Sequence, residues 1–356
     1  MKRVGNLFPT ILDYDNLRLA AYKASRGKLD RPEVRAFLER LDPNLNQVAE
    51  TIRDGSITLG RCRQFMMNNP KPRVITVPCF EERVLHHAVI NVCEPHFERW
   101  LIADTFACRQ GKGQVAALER AARFSCRHRW FLKLDIRKYF DSIPHDLLIR
   151  QLHRRFKDRD LLELLERLIR SHRSEHNAGI PIGSLVSQHF ANFYLDAFDR
   201  FVKETLRVGA FVRYMDDMAL WSDDVGELQI ATQRGRDFLK DCLGLDLKIA
   251  YRNQTRHGLN FLGCRLFRTH TILNRSSRRR FRRRLTQLEN AHALGRINDP
   301  ELQQRSAALV AFTRMKGVSS WQFRRATLER MRVSGQEPRS VSIAAVTGTT
   351  PPAPAR

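Results

Sequence analysis

The sequence predicts a mixed α+β chain, and three observations carry that expectation. Apolar residues recur at helical spacing through the first 60 residues. Two apolar stretches read as strands: WFLKLD (130–135), which ends in an aspartate, and Gly209 to Trp221, which carries an acidic pair in a turn at its middle. The segment from Arg275 to Met331 is helical and crowded with arginine. A length of 356 residues suits two or three subdomains around more than one core.

The elements follow in order. Leu17, Ala20, Ala21 and Ala24 share one helix face, and Val34, Leu38 and Leu41 another. Pro70 to Pro78 (PKPRVITVP) reads as a β-branched strand bracketed by prolines. Glu81 to Leu101 reads as a helix that Pro95 should kink or end early. Gly111 and Gly113 mark a loop before a helix from Val115 to Phe124. After the strand at 130–135, Pro144 suits the first turn of a helix, and Leu161 to Ile169 forms another. A long helix is expected from Ser184 through Leu206. Gly209 to Trp221 then reads as strand, tight acidic turn and strand, and Asp223 or Asp224 caps a helix through Leu243. Leu245 to Tyr251 and Leu259 to Phe267 read as two further strands. From Ser334 to Arg356 the composition shifts to Ser, Thr, Pro, Ala and Gly, and this tail is expected to be disordered.

Charge narrows the function. Lys plus Arg number 62 against 38 Asp plus Glu, a formal net charge of +24. Such an excess points to a polyanionic partner, because each phosphate neutralised by a cation releases a condensed counterion. The seven cysteines form no C-x-x-C pair, so reduced and mostly buried thiols are expected rather than a zinc site or a disulfide framework. His86 and His87 are neighbours and would point in different directions on a helix, which disfavours a shared metal. No signal peptide and no membrane-spanning run are expected, and the chain reads as cytoplasmic.

The acidic residues suggest the chemistry. Transfer of a phosphoryl group to a growing strand uses two divalent ions, one at the attacking oxygen and one at the leaving group. Magnesium prefers oxygen ligands, so a few carboxylates on rigid backbone suffice. Asp135 at the end of one strand and Asp216 with Asp217 in a hairpin turn could meet on one sheet edge. Tyr-Met-Asp-Asp at 214–217 is a short motif, but the strands around it are apolar, and a carboxylate pair beside a core is costly unless paired or metal-bound.

Taken together, these blocks resemble the reverse transcriptase family, in the family's order and over about residues 1–330. KPRVITVP (71–78) and FACRQGKG (106–113) resemble its fingers blocks, and FLKLDIRKYFDSI (131–143) the block with the first aspartate. GIPIGSLVSQHFANFYLD (179–196) resembles the substrate- and template-positioning block, and Tyr214 to Asp217 the second aspartate block. Lys248 and LNFLGCRLF (259–267) resemble the last two palm blocks. The resemblance implies a right-hand polymerase. Residues 1–130 would form an N-terminal extension and fingers, and 131–270 a palm with an antiparallel sheet and an insert at 145–180. Residues 271–333 would be a basic helical thumb and 334–356 a disordered tail.

It also implies roles. Asp135 and Asp216 would bind two Mg2+ ions, with Mn2+ as a substitute, helped by the carbonyl of Ile136 and less directly by Asp217. Phe140 would gate against the ribose 2′-hydroxyl, unless it is an ordinary core aromatic. Lys71, Arg73 and Arg109 would hold the incoming deoxynucleoside triphosphate. Lys248 would protonate the leaving pyrophosphate or simply touch a phosphate. Ile182, Gly183 and Gln188 would lie near the nucleotide, unless Gly183 only makes the turn before its helix. Arg278, Arg279, Arg280, Arg282, Arg283 and Arg284 would grip the phosphates of the RNA/cDNA duplex without reading sequence. Phe281 and Trp321 are expected in the core.

One departure points to a subfamily. Most members carry Q-G-x-x-x-S-P where this chain has Ile182-Gly183-Ser184-Leu185-Val186-Ser187-Gln188. That pattern resembles the reverse transcriptases of diversity-generating retroelements, which copy a template-repeat RNA into cDNA mutated at adenines. The compact length also resembles that subfamily, whose members work with a small basic accessory protein, a ring-forming helical bundle. The competing expectations are a phage-defence or group II intron-like reverse transcriptase, an RNA-dependent RNA polymerase, and a non-catalytic RNA-binding protein on a polymerase fold.

Overall fold

The computed structural model describes residues 2–67, 72–172, 177–314 and 317–332. Lys71 and the tail at 334–356 therefore lie outside the described residues. The chain divides into two compact units, one of residues 1–113, 134–218 and 229–250, the other of 114–133, 219–228 and 251–356.

In the first unit, helices Phe8–Ile11, Tyr14–Ser25, Pro32–Glu39 and Leu41–Arg53 precede a long helix, Phe80–Trp100. Leu17, Ala20, Ala21 and Ala24 are all at most 1% exposed, and their small size lets Tyr14–Ser25 lie close along Phe80–Trp100. Asn16 Nδ2 donates to the Ala88 carbonyl at 3.2 Å and Lys23 Nζ to Asn91 Oδ1 at 2.6 Å, which fixes the register. The long helix does not end at Pro95. Phe97 and Trp100, beyond the proline, anchor an aromatic cluster with Phe156 and Phe193. The Trp100 and Phe156 rings meet edge to face at 5.1 Å. Such a pair adds about 0.5–1.5 kcal/mol to its burial, which offsets part of the roughly 3 kcal/mol that an interior proline costs.

Strand β1 (Cys62–Met67), which the sequence pattern does not reveal, pairs antiparallel with β2 (Arg73–Pro78). Its residues from Arg63 to Met67 are exposed on both faces, so no alternation marks it.

A four-stranded sheet follows, of β3 (Trp130–Ile136), β4 (Ala210–Tyr214), β5 (Asp217–Ser222) and β6 (Leu247–Gln254), in the order β4-β5-β3-β6. Central β5 is buried from Met218 to Ser222, whereas β6, at the edge, is largely exposed. The expected single helix from Ser184 to Leu206 is instead three pieces: Leu185–Tyr194, Asp196–Arg200 and a π-helical turn at Phe201–Thr205. The turn places Phe201 flat on Phe238, with centroids 4.3 Å apart. Pro144 caps His145–Arg155 from outside rather than sitting in its first turn.

In the second unit, Asp224 Oδ1 accepts from Gly226 N at the start of Val225–Leu243, while Asp223 accepts from Arg129 N. Residues 259–267 are two strands, β7 (Leu259–Phe261) and β8 (Cys264–Leu266), because Leu262 and Gly263 both turn at positive φ. β9 (Thr271–Leu273) completes this small sheet. Helices Arg275–Ala293, Asp299–Thr313 and Trp321–Arg332 then pack through Phe281, Leu285 and Val310. Phe281 is core as expected, but Trp321 is only half-buried, with Arg325 over its ring. The thiols also depart from expectation: all seven are free, yet Cys93 and Cys264 alone are buried.

Candidate active site

Asp135 is the penultimate residue of β3, and β3 lies beside β5, which begins at Asp217. The ends of the two strands that carry these residues belong to the same compact unit. Met215 and Asp216 form the two-residue link between β4 and β5, and Met215 has φ 55°. Glycine or asparagine usually supplies positive φ in such a turn, so a methionine there carries strain of order 1–3 kcal/mol. All three aspartates are half-buried. Tyr139, fully buried just beyond Asp135, donates its hydroxyl to the Ala191 carbonyl. Burial chiefly raises its phenol pKa well above the usual value, and Asp216 adds to the rise.

The oxygen donors that these strands and their link carry are the carboxylates of Asp135, Asp216 and Asp217 and the carbonyl of Ile136. An all-oxygen set fits a hard divalent ion such as Mg2+ or Mn2+ rather than zinc. Among the described residues no three His, Cys, Asp or Glu side chains converge as a complete cage. Mg2+ is ordinarily held by one or two carboxylates, with waters and substrate phosphates completing its shell.

Behind the turn lies a network that the motif reading missed. Arg213, one residue before Tyr214, is fully buried. Its Nε and Nη2 donate to Asp199 Oδ1 and Oδ2, each at 2.6 Å, and both side chains are 0% exposed. Nη1 donates to Asn192 Oδ1 at 2.9 Å and to the Met215 carbonyl at 3.3 Å, so the same guanidinium holds the strained turn. Burial opposes the charge on Arg213, but Asp199 outweighs it and raises the pKa. Thr105 Oγ1 donates to Asp199 Oδ2 at 2.6 Å, and the 104–106 segment pairs along Arg213 through both backbone groups. The signal was present in Phe-Val-Arg-Tyr: a cation inside an apolar strand needs a buried anion.

The loop before helix Leu185–Tyr194 is tied to β2. Thr76 N donates to the Ile182 carbonyl at 2.7 Å. Gly183 has φ 113°, and a Cβ there would sit 2.6 Å from the Thr76 carbonyl oxygen. Its glycine is therefore explained by close approach of β2 together with positive φ. Ser184 caps the helix, and Gln188 Oε1 accepts from the Cys108 thiol at 3.5 Å. Phe140 is half-buried in the short helix Tyr139–Ser142, and its carbonyl accepts from Ile180 N at 2.8 Å. The structure thus links Phe140, Ile182 and Gly183 through one loop.

Other candidates fare differently. Arg73 is exposed on β2, and Lys248 is exposed on β6. Arg109 is not available as expected: its side chain is 7% exposed, paired with Glu98 at 2.8 Å and hydrogen-bonded to the Ile102 and Thr105 carbonyls. That guanidinium is consumed in holding its own loop. In the second unit, Arg279, Arg282, Arg283 and Arg284 are exposed along Arg275–Ala293. Arg280 is half-buried, and Arg278 is half-buried with Nε donating to the Leu273 carbonyl at 2.8 Å.

The chain belongs to the reverse transcriptase family: residues 66–266, more than half of it, match the family described as reverse transcriptase (RNA-dependent DNA polymerase). It is similar to a putative COX1/OXI3 intron 2 protein of Saccharomyces cerevisiae, 41% identical over 153 residues that make up 41% of this chain and 17% of the relative. It is also similar to the group II intron-encoded protein LtrA of Lactococcus lactis subsp. cremoris, 25% identical over 53% of this chain and 32% of that protein. Among solved structures, telomerase from Candida albicans aligns at TM-score 0.44 and 11% identity, covering 76% of this chain and 60% of that one. The chain thus spans less than a third of either curated relative. No described helix is long and apolar enough to cross a membrane.

Proposed function

We propose that this chain is an RNA-directed DNA polymerase. The observation that carries the reading is the placement of Asp135 on β3, of Asp217 at the start of the neighbouring β5 and of Asp216 in the link just before it. Asp135, Asp216 and the Ile136 carbonyl would hold two Mg2+ ions, with Asp217 in support. When bound, these supply charge neutralisation at the attacking 3′-oxygen and at the leaving pyrophosphate. Phe140 excludes the ribose 2′-hydroxyl, which selects deoxynucleotides. Lys71 and Arg73 hold the triphosphate, where cations stabilise developing charge. Lys248 protonates or contacts the leaving group. β1 and β2 belong to the fingers, the four-stranded sheet to the palm, and the arginine-rich helix to a thumb on the template–product duplex.

Two settings fit this chemistry. Ile182 and Gln188, in place of the usual glutamine and proline, support a diversity-generating retroelement enzyme that copies a template-repeat RNA alongside a small basic accessory protein. Similarity to intron-encoded proteins supports a group II intron-like enzyme at least as well. Sequencing cDNA made by wild type and Ile182→Gln decides between them. Errors concentrated at template adenines, and reduced by the substitution, support the first setting. Accurate cDNA from both discards it and keeps the polymerase.

A further inference from the structure

Helix Phe80–Trp100 carries two adjacent histidines that the proposed chemistry does not use. His87 is half-buried, whereas His86 is 4% exposed and has polar groups at both ring nitrogens. Its Nδ1 lies 3.4 Å from Ser184 Oγ, and its Nε2 lies 3.5 Å from Oε1 of Glu82, one helical turn back. Glu82 and Ser184 are each 3% exposed. The other carboxylate oxygen, Glu82 Oε2, accepts from Gly60 N at 2.9 Å, just ahead of β1. Burial lowers the His86 pKa to about 3 and raises that of Glu82, so the imidazole is neutral at neutral pH. A neutral imidazole donates from one nitrogen and accepts at the other. With Nε2–H facing Glu82, Nδ1 is the acceptor for the Ser184 hydroxyl. The same hydroxyl oxygen accepts from Ser187 N at 3.5 Å and so caps helix Leu185–Tyr194.

Ser184 closes the loop from Gly179 to Ser184, which carries Ile182 and Gly183. A second buried histidine holds the other end. His145, 2% exposed, donates from Nε2 to the Gly179 carbonyl at 2.6 Å, and its backbone N donates to the Asn177 carbonyl at 3.1 Å. Between the ends, Ile180 N donates to the Phe140 carbonyl at 2.8 Å and Thr76 N to the Ile182 carbonyl at 2.7 Å. All of these groups belong to the first unit. The tie at Ser184 is made by side chains, so a substitution removes it without altering a backbone bond. Its loss matters more here than in an open loop, because Gly183 already stands at φ 113° against the Thr76 carbonyl.

We propose that His86 is a positioning residue for nucleotide use: oriented by Glu82, it holds Ser184 and thereby sets where Ile182 and Gly183 stand. The kinetic role rests on reading the chain as a polymerase; the tie from Glu82 through His86 to Ser184 does not. His86 acts through Ser184, so its loss reaches nucleotide use and not RNA affinity. The two amide residues separate its two nitrogens. Asn places its side-chain oxygen where histidine has Nδ1, whereas Gln places its amide where histidine has Nε2. His86→Asn therefore keeps an acceptor for Ser184, and His86→Gln keeps only a donor for Glu82.

The test is single-nucleotide extension of a primed RNA template by the full chain, with the deoxynucleotide concentration varied. His86→Leu and Ser184→Ala should each raise the nucleotide KM about 3- to 10-fold, the worth of one net hydrogen bond, with RNA affinity unchanged. The double variant should be no worse than either single one, because both remove the same bond. His86→Asn should recover most of the loss and His86→Gln little of it. Val48→Ala, a core truncation in helix Leu41–Arg53, should lower the urea midpoint and leave the KM unchanged, which separates positioning from stability. A wild-type KM in Ser184→Ala, or equal KM values in His86→Asn and His86→Gln, overturns the proposal, and neither outcome depends on how well His86→Leu folds. Amide hydrogen exchange over residues 179–187 keeps this failure apart from failure of the polymerase reading. Wild-type exchange in Ser184→Ala, in a chain that extends primers, sinks the tie alone. Faster exchange in Ser184→Ala and His86→Gln, in a chain that never extends a primer, sinks the polymerase reading and the kinetic role and leaves the tie.

Discussion

The buried pair of Arg213 and Asp199 makes a prediction in which stability and activity part company. Asp199→Ala strands a guanidinium that is 0% exposed and normally donates two 2.6 Å bonds to that carboxylate. Removing one partner of such a pair costs about 3–5 kcal/mol, because the remaining charge stays buried. Arg213→Met strands Asp199 instead, with Thr105 alone among the described residues still donating to its side chain, and should cost a similar amount. The double variant Arg213→Met/Asp199→Leu leaves no buried charge and should return to within about 1–2 kcal/mol of wild type. Its activity should not return, because the bond from Arg213 Nη1 to the Met215 carbonyl is gone. Releasing a turn strained by about 1–3 kcal/mol should lower the extension rate about tenfold or more while leaving the nucleotide KM nearly unchanged. Arg213→Lys, which keeps the charge but not the fork, should retain more activity than the double variant. Urea unfolding and single-turnover primer extension read the two quantities. Recovery of both in the double variant would refute the positioning role and leave the network purely structural.

Three further outcomes follow from the same geometry. Gly183→Ala forces a Cβ to within 2.6 Å of the Thr76 oxygen at φ 113°; it should cost at least about 1–3 kcal/mol and slow extension, and an unaltered melting curve would contradict the contact. Phe140→Val should admit ribonucleotides, measured as the ratio of kcat/KM for dGTP over GTP; an unchanged ratio makes Phe140 a core residue only. His86 and His189 are held neutral by burial, with pKa values lowered to about 3 and about 4. The unfolded chain takes up these protons from about pH 6.5 downward and the folded chain does not, so stability is full above that pH and falls as the solution becomes more acidic, by up to about 1.4 kcal/mol per pH unit for each group. Urea midpoints should fall between about pH 7 and about pH 5, and less steeply in His189→Gln; parallel profiles would rule out His189 as a source.

Much of this was legible in the sequence, for identifiable reasons. Helix Tyr14–Ser25 and the strands around Asp135 and Asp216 bury one-sided or continuous apolar runs, and such patterns report directly on burial. β1 escaped because its side chains are exposed on both faces and its register is set by β2 alone. The break after Tyr194 escaped because apolar spacing continues through it, while the π-turn is fixed by the stacking of Phe201 on Phe238. Arg109 was misjudged because a cation beside a glycine-rich loop looks the same in sequence whether it faces a phosphate or Glu98. The partners of Arg213, at Asp199 and Asn192, lie two and three helical segments upstream, where spacing alone gives no sign that they converge.

The central claim is templated DNA synthesis carried by Asp135 and Asp216. Its most direct test is extension of a DNA primer on an RNA template with deoxynucleotides and Mg2+, comparing wild type with Asp135→Ala and Asp216→Ala. Wild type should give full-length cDNA and neither variant any, with RNA affinity unchanged in all three. Extension that survives in Asp216→Ala would contradict it.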